Sequence, residues 1–293
     1  LVLIAIDNSI AILFYCDKII LRGGIMLDVI EKQYQNIKKS SNIISLLRYP
    51  GGKTRAVKFI LPYFPKNITT LFSPFFGGGS IEIALANRGV KVYGYDIFEP
   101  LVAFWQCALE NPSKLADIVL EYYPLSKEKF YELQATLDMY KIDKYRYAAI
   151  FYVLNRASYS GATCSGGMSP NHPRFTLSAI ERLRNFSCPN LISVEKMDFK
   201  ESFKLHTQDF VYADPPYLIN SGLYGRKGDA HKNFDHDALY EILKQRGGWI
   251  LSYNNCDKVK KMYSKYKIVY PDWKYGMSNN KNSREVLILS NDW

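Results

Sequence analysis

Three consecutive glycines, Gly77-Gly78-Gly79, stand between an apolar, aromatic run from Thr69 to Phe76 and a segment of helical spacing from Ser80 to Arg88. Ile81, Ala84 and Leu85 share one face of that segment, and Gly89 follows it as a C′ glycine would. A second apolar run, Val90 to Tyr95, then closes on Asp96. Strand, glycine turn, helix, strand and terminal acid form the opening of a doubly wound α/β sheet. Glycines at such a turn let the backbone approach a ligand closely. A carboxylate at the end of the next strand can accept both hydroxyls of a ribose. The pattern therefore favours a nucleoside ligand without saying which one.

The rest of the chain divides around this unit. From Leu101 to Arg156 the spacing is mostly helical, around Leu115 to Tyr122, Lys127 to Met139 and Tyr145 to Leu154. A polar loop, Ser158 to Gly167, is too small and glycine-rich to be core. A helix resumes near Thr176, with Ser178 and Glu181 in capping-box spacing. Strands are predicted at Leu191 to Glu195, Asp209 to Ala213, Trp249 to Tyr253, Lys267 to Tyr270 and Glu285 to Leu289, with a helix around Asp237 to Gln245 and an irregular stretch from Ile219 to Phe234. The organisation is one α/β domain, residues 26–100 and 187–293, interrupted by a helical insertion at 101–186.

The segment with the most chemistry is Asp214-Pro215-Pro216-Tyr217, which follows the apolar run Phe210 to Ala213. Ligands of such sheets lie beyond the carboxyl ends of the strands. Two prolines fix the backbone and supply carbonyls without N–H groups of their own. A carboxylate and a carbonyl beside an aromatic face suit a planar heteroaromatic amine. Arg48-Tyr49-Pro50-Gly51-Gly52-Lys53-Thr54 contains Gly-Lys-Thr, but a phosphate-binding P-loop needs glycine where Leu47 stands, so nucleotide triphosphate binding by this route is rejected.

Of the 293 residues, 47% are hydrophobic, which supports a sizeable core, and the net charge of +10 suits a polyanionic partner such as nucleic acid. Five cysteines without C-x-x-C spacing argue against a disulfide framework or a zinc site, so no metal is expected and a reducing cytoplasm is the natural compartment. Leu1 to Leu21 is apolar but broken by Asp7, Asn8, Asp17 and Lys18, a poor membrane span and no signal peptide. The first methionine is Met26, preceded by Arg22-Gly23-Gly24, which can be encoded by a purine-rich ribosome-binding sequence. The expectation is that translation starts at Met26 and that residues 1–25 are an added extension; the alternative is a genuine N-terminal strand or helix.

Taken in order, these segments resemble the Dam-like, D12-class DNA adenine methyltransferases of the α group. The resemblance is carried by Tyr49 to Lys53, Phe75 to Ser80, Tyr95-Asp96, Asn155-Arg156 followed by Ser160-Gly161, Glu195 to Phe199, Asp214 to Tyr217, Leu251 to Asn255 and Arg284 to Ile288. It implies a class I methyltransferase fold, a seven-stranded sheet with one antiparallel strand near the C-terminus, and a helical target-recognition insertion. It implies S-adenosylmethionine as the methyl donor, held by Tyr49, Lys53, Phe76, Gly77, Gly79, Ser80, Asp96, Asp198, Phe199 and Asp214. Asp214, Pro215, Pro216 and Tyr217 would be catalytic, with Tyr217 stacking on a base turned out of the helix. DNA would be met by Asn155, Arg156, Tyr159, Ser160, Arg174, Arg226 and Lys227, and bases read between Tyr145 and Arg184. Asp214→Ala or Tyr217→Ala would abolish transfer with the fold intact. Expected partners are double-stranded DNA and a restriction endonuclease acting separately, in the cytoplasm of a bacterial or phage-infected cell, for a monomer or weak dimer. Two positions depart from the family. Tyr49 replaces a common Trp, and Ser158 to Gly167 replaces an Asn-Gly followed by a basic aromatic segment. Cytosine-N4 methylation, protein or RNA methylation, and a catalytically silent DNA-binding protein are the other readings.

Overall fold

A computed structural model describes residues 3–5, 11–15, 18–20, 45–49, 51–169, 174–218, 234–271 and 285–292. Two compact units result, residues 1–42 and 43–293. In the first, β1 (Leu3–Ala5), β2 (Ala11–Tyr15) and β3 (Lys18–Ile20) pair antiparallel in sequence order. The expected start at Met26 lies outside the described residues.

The second unit is built on a seven-stranded sheet of β4 (Thr70–Ser73), β5 (Lys91–Asp96), β6 (Leu191–Lys196), β7 (Phe210–Ala213), β8 (Trp249–Asn254), β9 (Lys267–Val269) and β10 (Glu285–Leu289). The strand order is β6-β5-β4-β7-β8-β10-β9, and only β10 runs antiparallel to its neighbours β8 and β9. The order reverses between β4 and β7, a crevice where doubly wound sheets bind ligands. Strands β8 and β10 are buried at every position, as expected where helices cover both faces.

Helix α1 (Val57–Ile60), α2 (Ser80–Ala86) and α3 (Glu99–Glu110) belong to one face. There Leu71, Tyr212, Ile250 and Leu287 of the sheet join Ile81, Phe104 and Trp105 in a single core. On the other face, α8 (Phe199–Leu205), α9 (His236–Lys244) and α10 (Asp257–Met262) bury Phe203, Leu239 and Val259 against Phe72, Val211, Leu251 and Ile288. Between β5 and β6 the chain inserts α4 (Pro112–Leu120), α5 (Lys127–Thr136), α6 (Lys144–Ala157) and α7 (Leu177–Arg184).

The helix from Glu99 packs both on β5 and β6 and on α6 of the insertion. One sequence expectation is corrected here. The last helix of the insertion is capped by Thr176, whose hydroxyl accepts from the N–H of Ala179, and not by a box at Ser178. Threonine two residues earlier reaches the free N–H groups because its own backbone is still extended.

Candidate active site at the sheet crevice

The glycine turn is shaped by its neighbours. Gly79 takes a left-handed φ of 65° as the N-cap of α2, a conformation that costs a side-chain-bearing residue about 1 kcal/mol. A Cβ there would also lie 2.7 Å from the ring of Phe76, which packs across the turn. Trp105 of α3 donates its indole N–H to the carbonyl of Gly77 at 3.0 Å, a support that the sequence reading missed. From the other side Tyr49 rests its ring against Gly77, and Ser45 donates to the carbonyl of Gly78. Thr54 and Ser80 share a hydroxyl–hydroxyl contact of 3.0 Å.

These parts enclose a cavity of about 720 Å³ beyond the carboxyl ends of the strands. Of the residues expected to hold a donor, Tyr49, Lys53, Phe76, Gly77, Gly79, Ser80, Asp96, Asp198, Phe199 and Asp214 all line it. Pro215 and Pro216 line it as well. Asp96 fixes the turn by accepting from the N–H of Gly77 and of Phe98, both at 2.9 Å. Burial raises its pKa, and those two backbone bonds oppose the rise. Each of its oxygens keeps a lone pair toward hydroxyl donors. Asp198 caps α8 through the N–H of Lys200.

Asp214 follows β7 directly, so the strand sets its place at the floor. Both its oxygens bind the Lys53 ammonium, at 2.8 and 2.6 Å, and the Tyr217 hydroxyl donates to one of them at 3.1 Å. Tyr217 in turn stacks on Tyr253 with ring centroids 5.8 Å apart, and Tyr253 is hydrogen-bonded to His236. Two further carboxyls converge here, neither singled out by the sequence reading. Glu285, at the start of β10, stands 3.8 Å from the Lys53 nitrogen. Glu82, on the buried side of α2, accepts from Ser73 at 2.7 Å, and burial pushes its pKa up to about 7. The linear signal for Glu82 was a charged residue inside an apolar run, Ile81-Glu82-Ile83, and for Glu285 its place at the head of the apolar strand motif Arg284 to Ile288.

The expected DNA contacts divide. Asn155 is fully buried and does not face a ligand; this corrects the expectation. Its amide accepts from the N–H of Arg48 at 2.9 Å and donates to the carbonyl of Arg48 at 2.8 Å. Helix α6 is buried from Tyr147 to Ala157, so base reading is not available to most of it. The loop after it is also less open than its composition suggested: Ser158 and Thr163 are buried, bonded through the Ser158 hydroxyl and the Thr163 N–H. Polar side chains here satisfy one another and so can be core. Tyr159 is 60% exposed, and Ser160 has a left-handed φ of 53°. Arg226 and Lys227 lie outside the described residues.

Gly161 is the tightest point of this loop. Its φ is 74°, and a Cβ would sit 1.9 Å from the carbonyl oxygen of Arg48. Gly161→Ala is therefore expected to destabilise the unit by at least about 2 kcal/mol, read as a lower urea midpoint at unchanged slope.

Arg156 is 9% exposed and donates to the carbonyl of Arg174 at 3.1 Å. Burial and the neighbouring Arg182, Arg48 and Arg174 lower its pKa, and Arg48 is lowered by burial and by Arg174. No carboxylate among the described residues forms an ion pair with any of these four.

A family profile for D12 class N6 adenine-specific DNA methyltransferases matches residues 49–277. The chain belongs to this family. Its relatives include Modification methylase StsI of Streptococcus sanguinis, 26% identical over 286 residues, covering 86% of this chain and 41% of the relative. Type II methyltransferase M1.LlaDCHI of Lactococcus lactis subsp. cremoris is 24% identical over 279 residues, covering 87% and 97%. Type II methyltransferase M.FokI of Planomicrobium okeanokoites is 27% identical over 293 aligned positions, covering 86% and 44%. The chain thus spans less than half the length of StsI and M.FokI and nearly all of M1.LlaDCHI. Membership in the D12 class implies a methyl donor and a DNA substrate. No helix among the described residues is long and apolar enough to cross a membrane.

Proposed function

We propose that the chain transfers a methyl group from S-adenosylmethionine to the exocyclic N6 of an adenine turned out of duplex DNA at a specific site. The observation that carries this reading is the position of Asp214: at the carboxyl end of β7, lining the same cavity as the glycine turn and Asp96.

The residues present fit the donor. The cavity volume suits a nucleoside-sized ligand. Asp96 retains acceptors for ribose hydroxyls, Asp198 and Phe199 line the wall assigned to the adenine, and Tyr49, Phe76 and Gly77 line the turn. Tyr212 also lines the cavity, with its hydroxyl buried. S-adenosylmethionine, when bound, supplies an electrophilic methyl on a sulfonium centre.

The protein's task is to make a poor nucleophile attack. The lone pair of an adenine N6 is delocalised into the ring. Asp214 and the carbonyl of Pro215 accept its two N–H bonds and draw the nitrogen toward tetrahedral geometry, which localises the lone pair. Tyr217 holds the ring by its face. The nitrogen gains the methyl carbon and sheds one proton, for which the Asp214 carboxylate is the adjacent acceptor. No covalent enzyme intermediate is needed.

Arg48, Arg156, Arg174 and Arg182 supply positive charge for the phosphate backbone, since guanidinium forks match phosphate and cannot shed their charge. Arg174→Gln and Arg182→Gln are each expected to lower the slope of log K against log salt for duplex binding by about 1, measured by fluorescence anisotropy. Arg88→Gln, at the far end of α2, leaves that slope unchanged. A separately acting restriction endonuclease of the same site is the natural partner, because the relatives are named as modification and type II enzymes.

The test is to incubate the chain with plasmid DNA and deuterated-methyl S-adenosylmethionine, digest to nucleosides and identify the labelled base by mass spectrometry. Labelled N6-methyldeoxyadenosine supports the reading; labelled N4-methyldeoxycytidine or no labelled base overturns it. Single-molecule sequencing of the product then gives the site.

A further inference from the structure

Two prolines remove the backbone N–H groups of positions 215 and 216, so the hydrogen-bond ladder of β7 cannot run on through the segment from Asp214 to Tyr217. The chain is taken up again at Leu218, and by a side chain. Asn254, the last residue of β8, accepts from the N–H of Leu218 at 3.0 Å and donates to its carbonyl at 2.9 Å. Asn254 is buried, and its main chain is held in the sheet opposite Glu285. The two residues before it on β8 reach the same segment. Tyr253 stacks on the Tyr217 ring, and the Ser252 hydroxyl lies 3.5 Å from the Tyr217 hydroxyl. The carboxyl end of β8 is thus a platform for Tyr217 and Leu218.

We infer that Asn254 is a positioning residue for methyl transfer, which fixes the backbone after Tyr217 and, through it, the acceptor segment. The inference rests on the adenine-methylating reading above. The N–H that Asn254 holds belongs to the peptide joining Tyr217 to Leu218. Holding it fixes the peptide plane after Tyr217, while the Pro216 ring restricts the residue before it. The direction of the Tyr217 side chain follows from the backbone between those two points. Tyr217 carries both the face that holds the target ring and a hydroxyl donated to Asp214 at 3.1 Å. A shift of the Leu218 peptide therefore reaches the acceptor and the stacking face together. Reactive geometry is sensitive to displacements of about 1 Å, so a tether of this kind acts on the rate. Asn254 does not itself line the cavity, and it acts through the chain it holds. Its amide supplies an acceptor and a donor on one short stem, as a peptide group of an adjacent strand would.

The test uses the full chain, a duplex carrying the site found above and saturating S-adenosylmethionine. Asn254→Ala is expected to lower kcat, and the single-turnover rate constant with it, by about 10- to 100-fold. Duplex affinity by anisotropy and S-adenosylhomocysteine affinity by calorimetry are expected to stay within about twofold of wild type, because the tether supports the reaction and not binding. Asn254→Gln keeps both amide functions on a stem one methylene longer, and it is expected to recover part of the rate. It carries the test if the alanine variant does not fold, by a rate below wild type at wild-type affinities. Asn190→Ala is the comparison. Asn190 also donates its amide to a backbone carbonyl, that of Ala86 at 2.9 Å, but just ahead of β6 and away from the cavity. That variant is expected to lose stability and keep the wild-type rate. Wild-type rates in both Asn254 variants overturn the inference. So does a rate loss matched by an equal loss of donor or duplex affinity, or an equal rate loss in Asn190→Ala. A wild-type chain that transfers no methyl to DNA overturns the functional reading and this one with it, whereas an active wild type with indifferent Asn254 variants overturns this one alone.

Discussion

Replacing Asp214 by asparagine is expected to slow methyl transfer by on the order of 10²–10³-fold, the scale on which one preorganised electrostatic contact acts. The asparagine oxygen still accepts one hydrogen bond, but the negative charge that stabilises the developing ammonium is gone. The variant stays folded because Lys53 keeps Glu285 at 3.8 Å and the Gly51 carbonyl. Asp214→Ala behaves differently. From sequence, that change was expected to leave the fold intact. The structure adds a buried lysine that loses a bidentate partner, so the alanine variant is expected to lose about 3 kcal/mol of stability as well as activity. Single-turnover transfer of a tritiated methyl group, paired with urea unfolding, separates the two effects. A wild-type rate in Asp214→Asn would remove Asp214 from the reaction.

Glu82→Gln is expected to make the protein more stable at pH 8 by up to about 3 kcal/mol, while leaving stability near pH 4 almost unchanged. Burial raises the Glu82 pKa from 4.5 to about 7. Between these values the folded chain retains a proton that the unfolded chain has released. Stability therefore falls as pH rises through that window and levels off above it. Glutamine can still accept from Ser73 but has no charge to bury. Urea midpoints at pH 4, 6 and 8 test this, and an offset between variant and wild type that does not grow with pH would refute it. A carboxyl retained at such a cost beside Lys53 and Asp214 fits a site built for electrostatics over stability.

The elements of this fold were legible where periodicity and punctuation coincide. Gly77 to Gly79 between two apolar runs, Gly89 after the helix and Asp96 after the second strand gave the βαβ opening, and the apolar run at Glu285 to Leu289 gave β10. The seven strands and one antiparallel strand near the C-terminus came from family resemblance, and the strand order came from the structure alone, since nothing local in Glu285 to Leu289 states its neighbours. The segment proposed as catalytic was legible because Asp214 to Tyr217 is contiguous. The charge cluster was not: Lys53, Glu82, Asp214 and Glu285 come from four distant segments, and each is an ordinary charged residue until the sheet brings them together. Asn155 was assigned to DNA through family resemblance, which carries no information about its local packing; in the structure it is buried, and its partners are the backbone of Arg48, 107 positions away.

That partnership bears on how site specificity could be re-engineered. The Asn155 side chain presents an acceptor and a donor to Arg48 much as an adjacent strand would, and Gly161 lies flush against the same peptide. The residues after α6 and the loop carrying Tyr49 are consequently joined as one piece. A recognition segment grafted in from a relative would have to bring an asparagine and a glycine at these two positions, or be exchanged together with the Arg48–Tyr49 loop. Otherwise a chimaera that reads a new sequence would have lost the wall of its own reaction chamber.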